Sequence, residues 1–121
     1  MNINISPHDQ FKALADPTRL RLLVLLTAGE LCVGDLAATL GLPQPTVSRH
    51  LARLKLLGWV EDRRAGKRVH YRLAHPETAV GTAIAELLPR LAAEPPFGED
   101  RQRLKEHCRG GDAGGERGAE I

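Results

Sequence analysis

Gly41-Leu42-Pro43-Gln44-Pro45-Thr46-Val47-Ser48-Arg49-His50-Leu51-Ala52-Arg53-Leu54 reads as a tight turn running into a helix. At 100° per residue, Val47, Leu51 and Leu54 fall on one stripe, the spacing of a helix laid on a core. Opposite them lie Pro45, Ser48, Arg49, Ala52 and Arg53: short side chains and two guanidinium groups, with no carboxylate on the segment to pair them. Such a face suits close approach to another surface. A helix in the major groove needs small residues near its backbone and Arg, Ser or Gln able to reach base edges or phosphates. On an isolated helix the same pattern reads more simply as a solvated face with two surface arginines. The flanking sequence decides between the two.

Upstream, Val33 to Leu40 offers a short helix with Leu36 and Leu40 at i, i+4. Gly41 suits the left-handed position after a helix, and Pro43 and Pro45 suit a turn and the first helical position beyond it. Helix, short Gly turn, helix is a helix-turn-helix. Downstream, Gly58 stops the second helix, and Trp59 to Arg64 and Lys67 to Leu73 flank Ala65-Gly66, which reads as a β-hairpin. In its second strand Val69, Tyr71 and Leu73 alternate with Arg68, His70 and Arg72, which predicts one apolar and one cationic face. A basic hairpin beside a helix-turn-helix is a wing. The expected fold is mainly α with a small β-hairpin.

The run Glu30-Leu31-Cys32-Val33-Gly34-Asp35-Leu36-Ala37, the run Gln44 to Leu51, then Leu57-Gly58-Trp59-Val60 and the hairpin from Arg64 to Tyr71 resemble the ArsR/SmtB family of bacterial repressors. The match spans Phe11 to Leu91 and follows the whole order of elements. The resemblance implies a dimeric winged helix-turn-helix that leaves its operator on binding a metal ion, a metalloid or another effector. Carried onto this sequence, the DNA-binding candidates are Gln44, Thr46, Ser48, Arg49, His50 and Arg53 on the helix, with Arg64, Lys67 and Arg68 on the wing.

A chain of 121 residues makes one small domain. The net charge of +2 says little about nucleic acid, but its distribution does. Between Leu42 and Leu73 the bases are Arg49, Arg53, Lys55, Arg63, Arg64, Lys67, Arg68 and Arg72, against only Glu61 and Asp62. No apolar run approaches a membrane span, and Met1-Asn2-Ile3-Asn4-Ile5 lacks the layout of a signal peptide, so a cytoplasmic location without membrane association is expected. Two cysteines far apart in such a chain read as reduced thiols. No motif places a Ser-His-Asp, Cys-His or paired-carboxylate arrangement, so the chain reads as a non-enzyme.

Ser6-Pro7 marks the start of a first helix, with Phe11 and Leu14 inward, and Asp16-Pro17 the start of a second running to about Thr27. That second helix is apolar nearly all round and reads as the central core helix. Its Arg19 and Arg21 read as solvated. After the wing, His75-Pro76-Glu77 opens a helix whose seam is Val80, Ile84, Leu87, Leu88 and Leu91, with small residues between them, and Pro89 ends or kinks it. This seam either covers the domain's back or pairs two copies. The family resemblance implies the second, with Phe11 of the first helix joining Val80, Ile84, Leu87, Leu88 and Leu91 across a two-fold axis. A palindromic operator of double-stranded DNA follows, its half-sites one or two helical turns apart. The expected organisation is residues 1–93 for DNA binding and dimerisation, 94–108 for a linker and one exposed helix, and 109–121 for a disordered tail.

DNA binding by such a fold requires no cofactor, so the cysteines and histidines concern the effector. The arsenic-responsive members carry Glu-Leu-Cys-Val-Cys-Asp-Leu before the recognition helix. Here Cys32 keeps its place, but Gly34 and Ala37 stand where further cysteines are expected. Trivalent arsenic or antimony generally takes three thiolates, or two as an organic arsenical, so Cys32 alone is one donor. Cys108 supplies another if its segment folds back or crosses the dimer. Each thiol also has an ordinary reading, as a small apolar residue and as an incidental terminal thiol. His8 and His70 read as surface residues, and His50 as partly packed. Three readings remain: a metalloid-responsive repressor, the same repressor with a thiol-redox or non-metal effector, and a winged-helix protein–protein adaptor that does not read DNA.

Overall fold

A computed structural model describes residues 6–110. The chain runs α1 (Pro7–Leu14), α2 (Pro17–Leu26), β1 (Leu31–Cys32), α3 (Val33–Leu40), α4 (Gln44–Leu56), β2 (Val60–Ala65), β3 (Arg68–Leu73), α5 (Ala79–Leu91) and α6 (Phe97–Gly110). Both expected N-terminal caps are present. Ser6 Oγ accepts from the Asp9 amide at 3.2 Å, and Asp16 Oδ1 accepts from the Arg19 amide at 3.0 Å. Each cap satisfies an amide that has no partner inside its helix.

Five consecutive residues of α2, Leu22 to Leu26, are buried, so α2 is the centre of the core. Val47, Leu51 and Leu54 of α4 bury against the same cluster, as do Leu36 and Leu40 of α3. Full burial of one such side chain contributes about 1.5–3 kcal/mol. Between α3 and α4, Gly41 takes φ +68°. The Leu42 amide then reaches the Ala37 carbonyl at 3.1 Å and the Gly41 amide reaches Ala38 at 3.3 Å, the paired bonds of a Schellman ending. That turn aims α4 away from α3.

The hairpin is wider than its sequence pattern predicts. It is a three-stranded antiparallel sheet in the order β1-β3-β2, with Leu31 opposite Tyr71 and Cys32 opposite His70. Ala65 pairs with Arg68, so the turn is Gly66-Lys67, one residue beyond the expected Ala65-Gly66. Because β1 makes β3 the central strand, His70 is only 2% exposed. Its expected place on a cationic outer face is therefore wrong; its Nδ1 lies 4.0 Å from Glu30 Oε2.

Helix α5 starts at Ala79 rather than at His75 to Glu77, capped by Thr78, whose Oγ1 accepts from the Gly81 amide and donates to Gln10 Oε1 of α1 at 2.8 Å. Gly81 is required there, since a Cβ would lie 2.0 Å from the Pro76 carbonyl oxygen. Val80 and Leu88 bury within their own chain, Ile84 and Leu91 are half-buried, and Leu87 is exposed. Phe11 does not point inward: it is 56% exposed on α1.

The largest departure is α6. It is not an exposed helix. Phe97, Asp100 and Leu104 are buried, and Phe97 and Leu104 join the common core cluster, seating α6 on α2 and α3. Arg21, expected to be solvated, forms a double hydrogen bond with Asp100 at 2.9 and 2.8 Å. Arg103 pairs with the same carboxylate and donates through Nε to the Thr39 carbonyl of α3 at 3.2 Å. The expected disordered tail lies outside the described residues, apart from 109 and 110, which still belong to α6.

Candidate nucleic-acid interface and adjoining cleft

Burying Val47, Leu51 and Leu54 turns the opposite face of α4 outward. Gln44, Ser48, Arg49 and Arg53 are exposed there, while Thr46 and His50 are half-buried. No side chain caps α4; instead the Thr46 and Val47 amides both donate to the Pro43 carbonyl, at 3.1 and 3.2 Å, and Pro45 has no N–H to satisfy. Lys55 is diverted to Asp62 of β2 at 3.0 Å.

On the wing, two arginines are committed within the chain. Arg63 donates from Nε to Glu30 Oε2 at 3.1 Å, and Arg72 donates from Nε to Glu61 at 2.9 Å. The Arg63 guanidinium holds the Glu30 carboxyl below its ordinary pKa. Arg64 and Lys67, at the hairpin end, are exposed, and Arg68 is half-buried. The wing tip therefore carries the cationic charge that an approaching polyanion meets.

Between the wing and α4 opens a cleft of about 530 Å³. It is lined by Cys32, Gly34 and Asp35, by Gln44 and Ser48 of α4, by Lys67 and Arg68 of the wing and by His107 of α6. Cys32 is the N-cap of α3, its backbone extended and its Sγ accepting from the Asp35 amide at 3.4 Å. Burial pushes the Cys32 thiol above its ordinary pKa; the Asp35 amide opposes this and the Asp35 carboxylate adds to it. Asp35 is buried, and its Oδ1 lies 2.8 Å from His107 Nε2. At Gly34 a Cβ would stand 3.5 Å from Gln44 Nε2 and 3.9 Å from Cys32 Sγ, so the residue leaves room beside the thiol.

Cys108 is half-buried against the core and does not line the cleft. Among the described residues no group of three or more His, Cys, Asp or Glu could hold a metal ion. The side chains present thus do not make a complete three-thiolate site around Cys32. Sequence reasoning named Cys32 and the outward polar residues of α4 and the wing but missed the Asp35–His107 pair. Only a pairing across 72 residues reveals them, and α6 creates it.

A helix-turn-helix with a core-buried stripe, an outward basic face and a flanking three-stranded wing defines the winged helix-turn-helix class of DNA-binding transcriptional regulators. Residues 16–62 match the family model described as bacterial regulatory protein, arsR family. The chain is 42% identical over 105 residues to the arsenical resistance operon repressor of Escherichia coli K12, covering 86% of this chain and 90% of that one. Against the arsenic resistance transcriptional regulator ArsR1 of Pseudomonas putida KT2440 it is 51% identical over 74 residues, 60% of this chain and 57% of the relative. The solution structure of the homodimeric winged helix-turn-helix DNA-binding domain Mb0332 from Mycobacterium bovis superposes with a TM-score of 0.54 at 32% identity, over 77% of this chain and 88% of that one. This protein belongs to the arsR family of bacterial regulatory proteins. None of the helices among its described residues is long and apolar enough to cross a membrane.

Proposed function

We propose that this protein is a homodimeric repressor that binds a palindromic operator in the cytoplasm and is released by trivalent arsenic or antimony engaging Cys32. Gln44, Thr46, Ser48, Arg49, His50 and Arg53 meet bases and phosphates in the major groove, and Arg64, Lys67 and Arg68 hold the flanking backbone. Phe11 and Leu87 lie in the contact between copies, with Ile84 and Leu91 at its margin; Val80 and Leu88 serve the chain's own core.

The observation that carries this reading is the shared cleft. Cys32 and the DNA-facing Gln44 and Ser48 line one space, so an event at the thiol is felt where DNA is read. The arsenic resistance named for the relatives from Escherichia coli and Pseudomonas putida supports the effector class. What the protein's own residues do follows from position. Cys32 Sγ holds the first turn of α3; withdrawing it frees the Asp35 amide and loosens the support on which α4 is aimed. A coupling of about 1–3 kcal/mol per site gives measurable release. Cys108 is the second candidate donor, carried by α6, which lies against α3.

Fluorescence anisotropy of the reduced protein on its own upstream DNA, titrated with arsenite, tests the proposal. Salt-sensitive binding lost on adding arsenite, with Cys32→Ser binding DNA but no longer responding, is the expected result. Binding indifferent to arsenite but lost with oxidant would assign the thiols to redox control instead, and absence of salt-dependent binding would favour an adaptor.

A further inference from the structure

Arg19, which the sequence assigns to solvent, is drawn into the structure instead. Its side chain is 19% exposed, and its Nε is buried with no hydrogen-bond partner among the described residues. Asp16 does not supply one: its Oδ1 accepts from the Arg19 amide, and its Oδ2 lies 3.6 Å from Nη2, outside hydrogen-bond distance. A guanidinium held this way is short of an acceptor, and a buried N–H left unpaired is costly. Arg19 also lines a pocket of about 370 Å³, together with Asp9, Lys12, Ala13, Arg53 and Leu57. Three of the lining residues are cations. The one carboxylate among them, Asp9, accepts from Ser6 Oγ at 3.1 Å, so the excess charge of the pocket favours an anion.

The pocket adjoins the outward side of α4. Arg49, Arg53 and Leu57 follow one another at four-residue spacing, which keeps them on one side of the helix. We propose that the pocket holds a backbone phosphate of operator DNA, gripped by Arg19 with Lys12 and Arg53 beside it. This rests on the reading above that α4 enters the major groove. A recognition helix enters with its N-terminal residues. The 13 residues of α4 span about 20 Å, against a groove about 12 Å wide, so its last turns lie over the strand that bounds the groove. A small turn of the Arg19 side chain presents its N–H fork to a phosphate there, which accepts two parallel bonds and supplies the missing acceptor. The contact carries no base information. It fixes where α4 sits along the groove, so α1 and α2 share in positioning the helix that reads.

The test measures operator affinity of the full chain by anisotropy across salt, on duplexes in which single phosphates are replaced, one at a time, by uncharged methylphosphonates. Arg19→Gln keeps the α2 cap, which uses the backbone amide, and Lys12→Gln alters an exposed residue, so both should match the unsubstituted protein in urea unfolding. Arg19→Gln should weaken binding about tenfold for each copy bound at about 50 mM salt. Its log–log salt slope should fall by about 0.9 per copy, which shrinks that deficit about three- to fourfold by about 200 mM. Lys12→Gln should lower the slope likewise, and it carries the test where Arg19→Gln costs stability. One phosphate in each half-site should be special: its neutralisation weakens the unsubstituted protein and leaves Arg19→Gln unchanged, whereas a purely structural role for Arg19 would weaken every duplex alike. An unchanged slope in both variants, or a methylphosphonate pattern identical to that of the unsubstituted protein, would overturn the proposal and keep α4 as the reading helix if Arg49→Ala still weakens operator binding. Inorganic phosphate binding the DNA-free protein through Arg19 by phosphorus NMR, with that pattern unchanged, would assign the pocket to a free anion instead. No salt-dependent DNA binding by the unsubstituted protein would remove the reading helix and this site together.

Discussion

Asp100→Ala removes the buried carboxylate on which α6 is hung. Asp100 is 1% exposed and accepts two hydrogen bonds from Arg21 and one from Arg103. Truncation leaves the Arg21 guanidinium, 25% exposed, facing the space the carboxylate held. Breaking a fully buried pair from one side costs about 3–5 kcal/mol. The open edge of Arg21 admits water, and the Arg103 side chain is 47% exposed, so its pair is partly screened and contributes about 1 kcal/mol or less. The expected loss is therefore about 2–3 kcal/mol, a large part of a stability on the order of 5–15 kcal/mol. For a domain near this size that lowers Tm by about 10–20 °C. Urea unfolding of Asp100→Ala, Arg21→Ala and the double variant measures it. The double variant should lose less than the sum of the singles, since the second truncation removes a charge already stranded. Because α6 carries His107 and Cys108, Asp100→Ala should also quicken alkylation of Cys108. A loss below about 0.5 kcal/mol, or strict additivity, would refute the claim that this carboxylate fastens α6 to α2.

Arg49→Ala and Ser48→Ala should each cost about 1–3 kcal/mol on the cognate operator and little on unrelated DNA, by anisotropy. Ala at Arg64 or Lys67 should weaken binding to all sequences and reduce the salt slope by about 1 each; a changed base preference instead would reverse the roles of wing and helix. Burial raises the Cys32 thiol above the ordinary 9.0, so the fold favours the protonated form. Its stabilisation is complete below that value and declines as pH rises through the folded one, and iodoacetamide should label Cys32 more slowly than Cys108 until the solution is alkaline. Mass spectrometry that finds Cys32 labelled first near neutral pH would contradict this. Phe11→Arg and Leu87→Arg should give folded monomers in sedimentation with weakened operator binding, and a persisting dimer would place the contact between copies elsewhere.

The helix-turn-helix and the hairpin were legible because their signals are local. Gly41 after α3, the period of Val47, Leu51 and Leu54, and the alternation in β3 all lie within a few residues of what they specify. Strand β1 was not legible: two residues, Leu31 and Cys32, become a strand only by pairing with β3, nearly forty positions on. That pairing buries His70, which alternation alone assigns to solvent. The docking of α6 escaped for a similar reason. Its anchor is an acid that hydropathy counts as surface, and the partner Arg21 is 79 residues away. Of the cleft, Cys32 could be named from its box, whereas Asp35 and His107 met only once α6 lay on α3.

On the proposed reading, helix α3 is where effector and DNA exchange free energy. Its first turn is held by a thiol cap, its buried Asp35 by His107, its Thr39 carbonyl by Arg103, and its last turn passes directly into the turn that aims α4. A helix cap is worth about 0.5–2 kcal/mol, and a sulfur acceptor at 3.4 Å belongs at the low end of that range. Losing the cap alone changes operator affinity a few-fold. Adding the loss of the Asp35–His107 hydrogen bond, about 0.5–1.5 kcal/mol, reaches a coupling of about 1–3 kcal/mol. On that reading, losing the cap and the Asp35–His107 contact together is enough for release without unfolding the domain. If a ligand at Cys32 weakens operator binding, linkage requires the converse: operator DNA must weaken that ligand by the same factor, and both can be measured on the same protein.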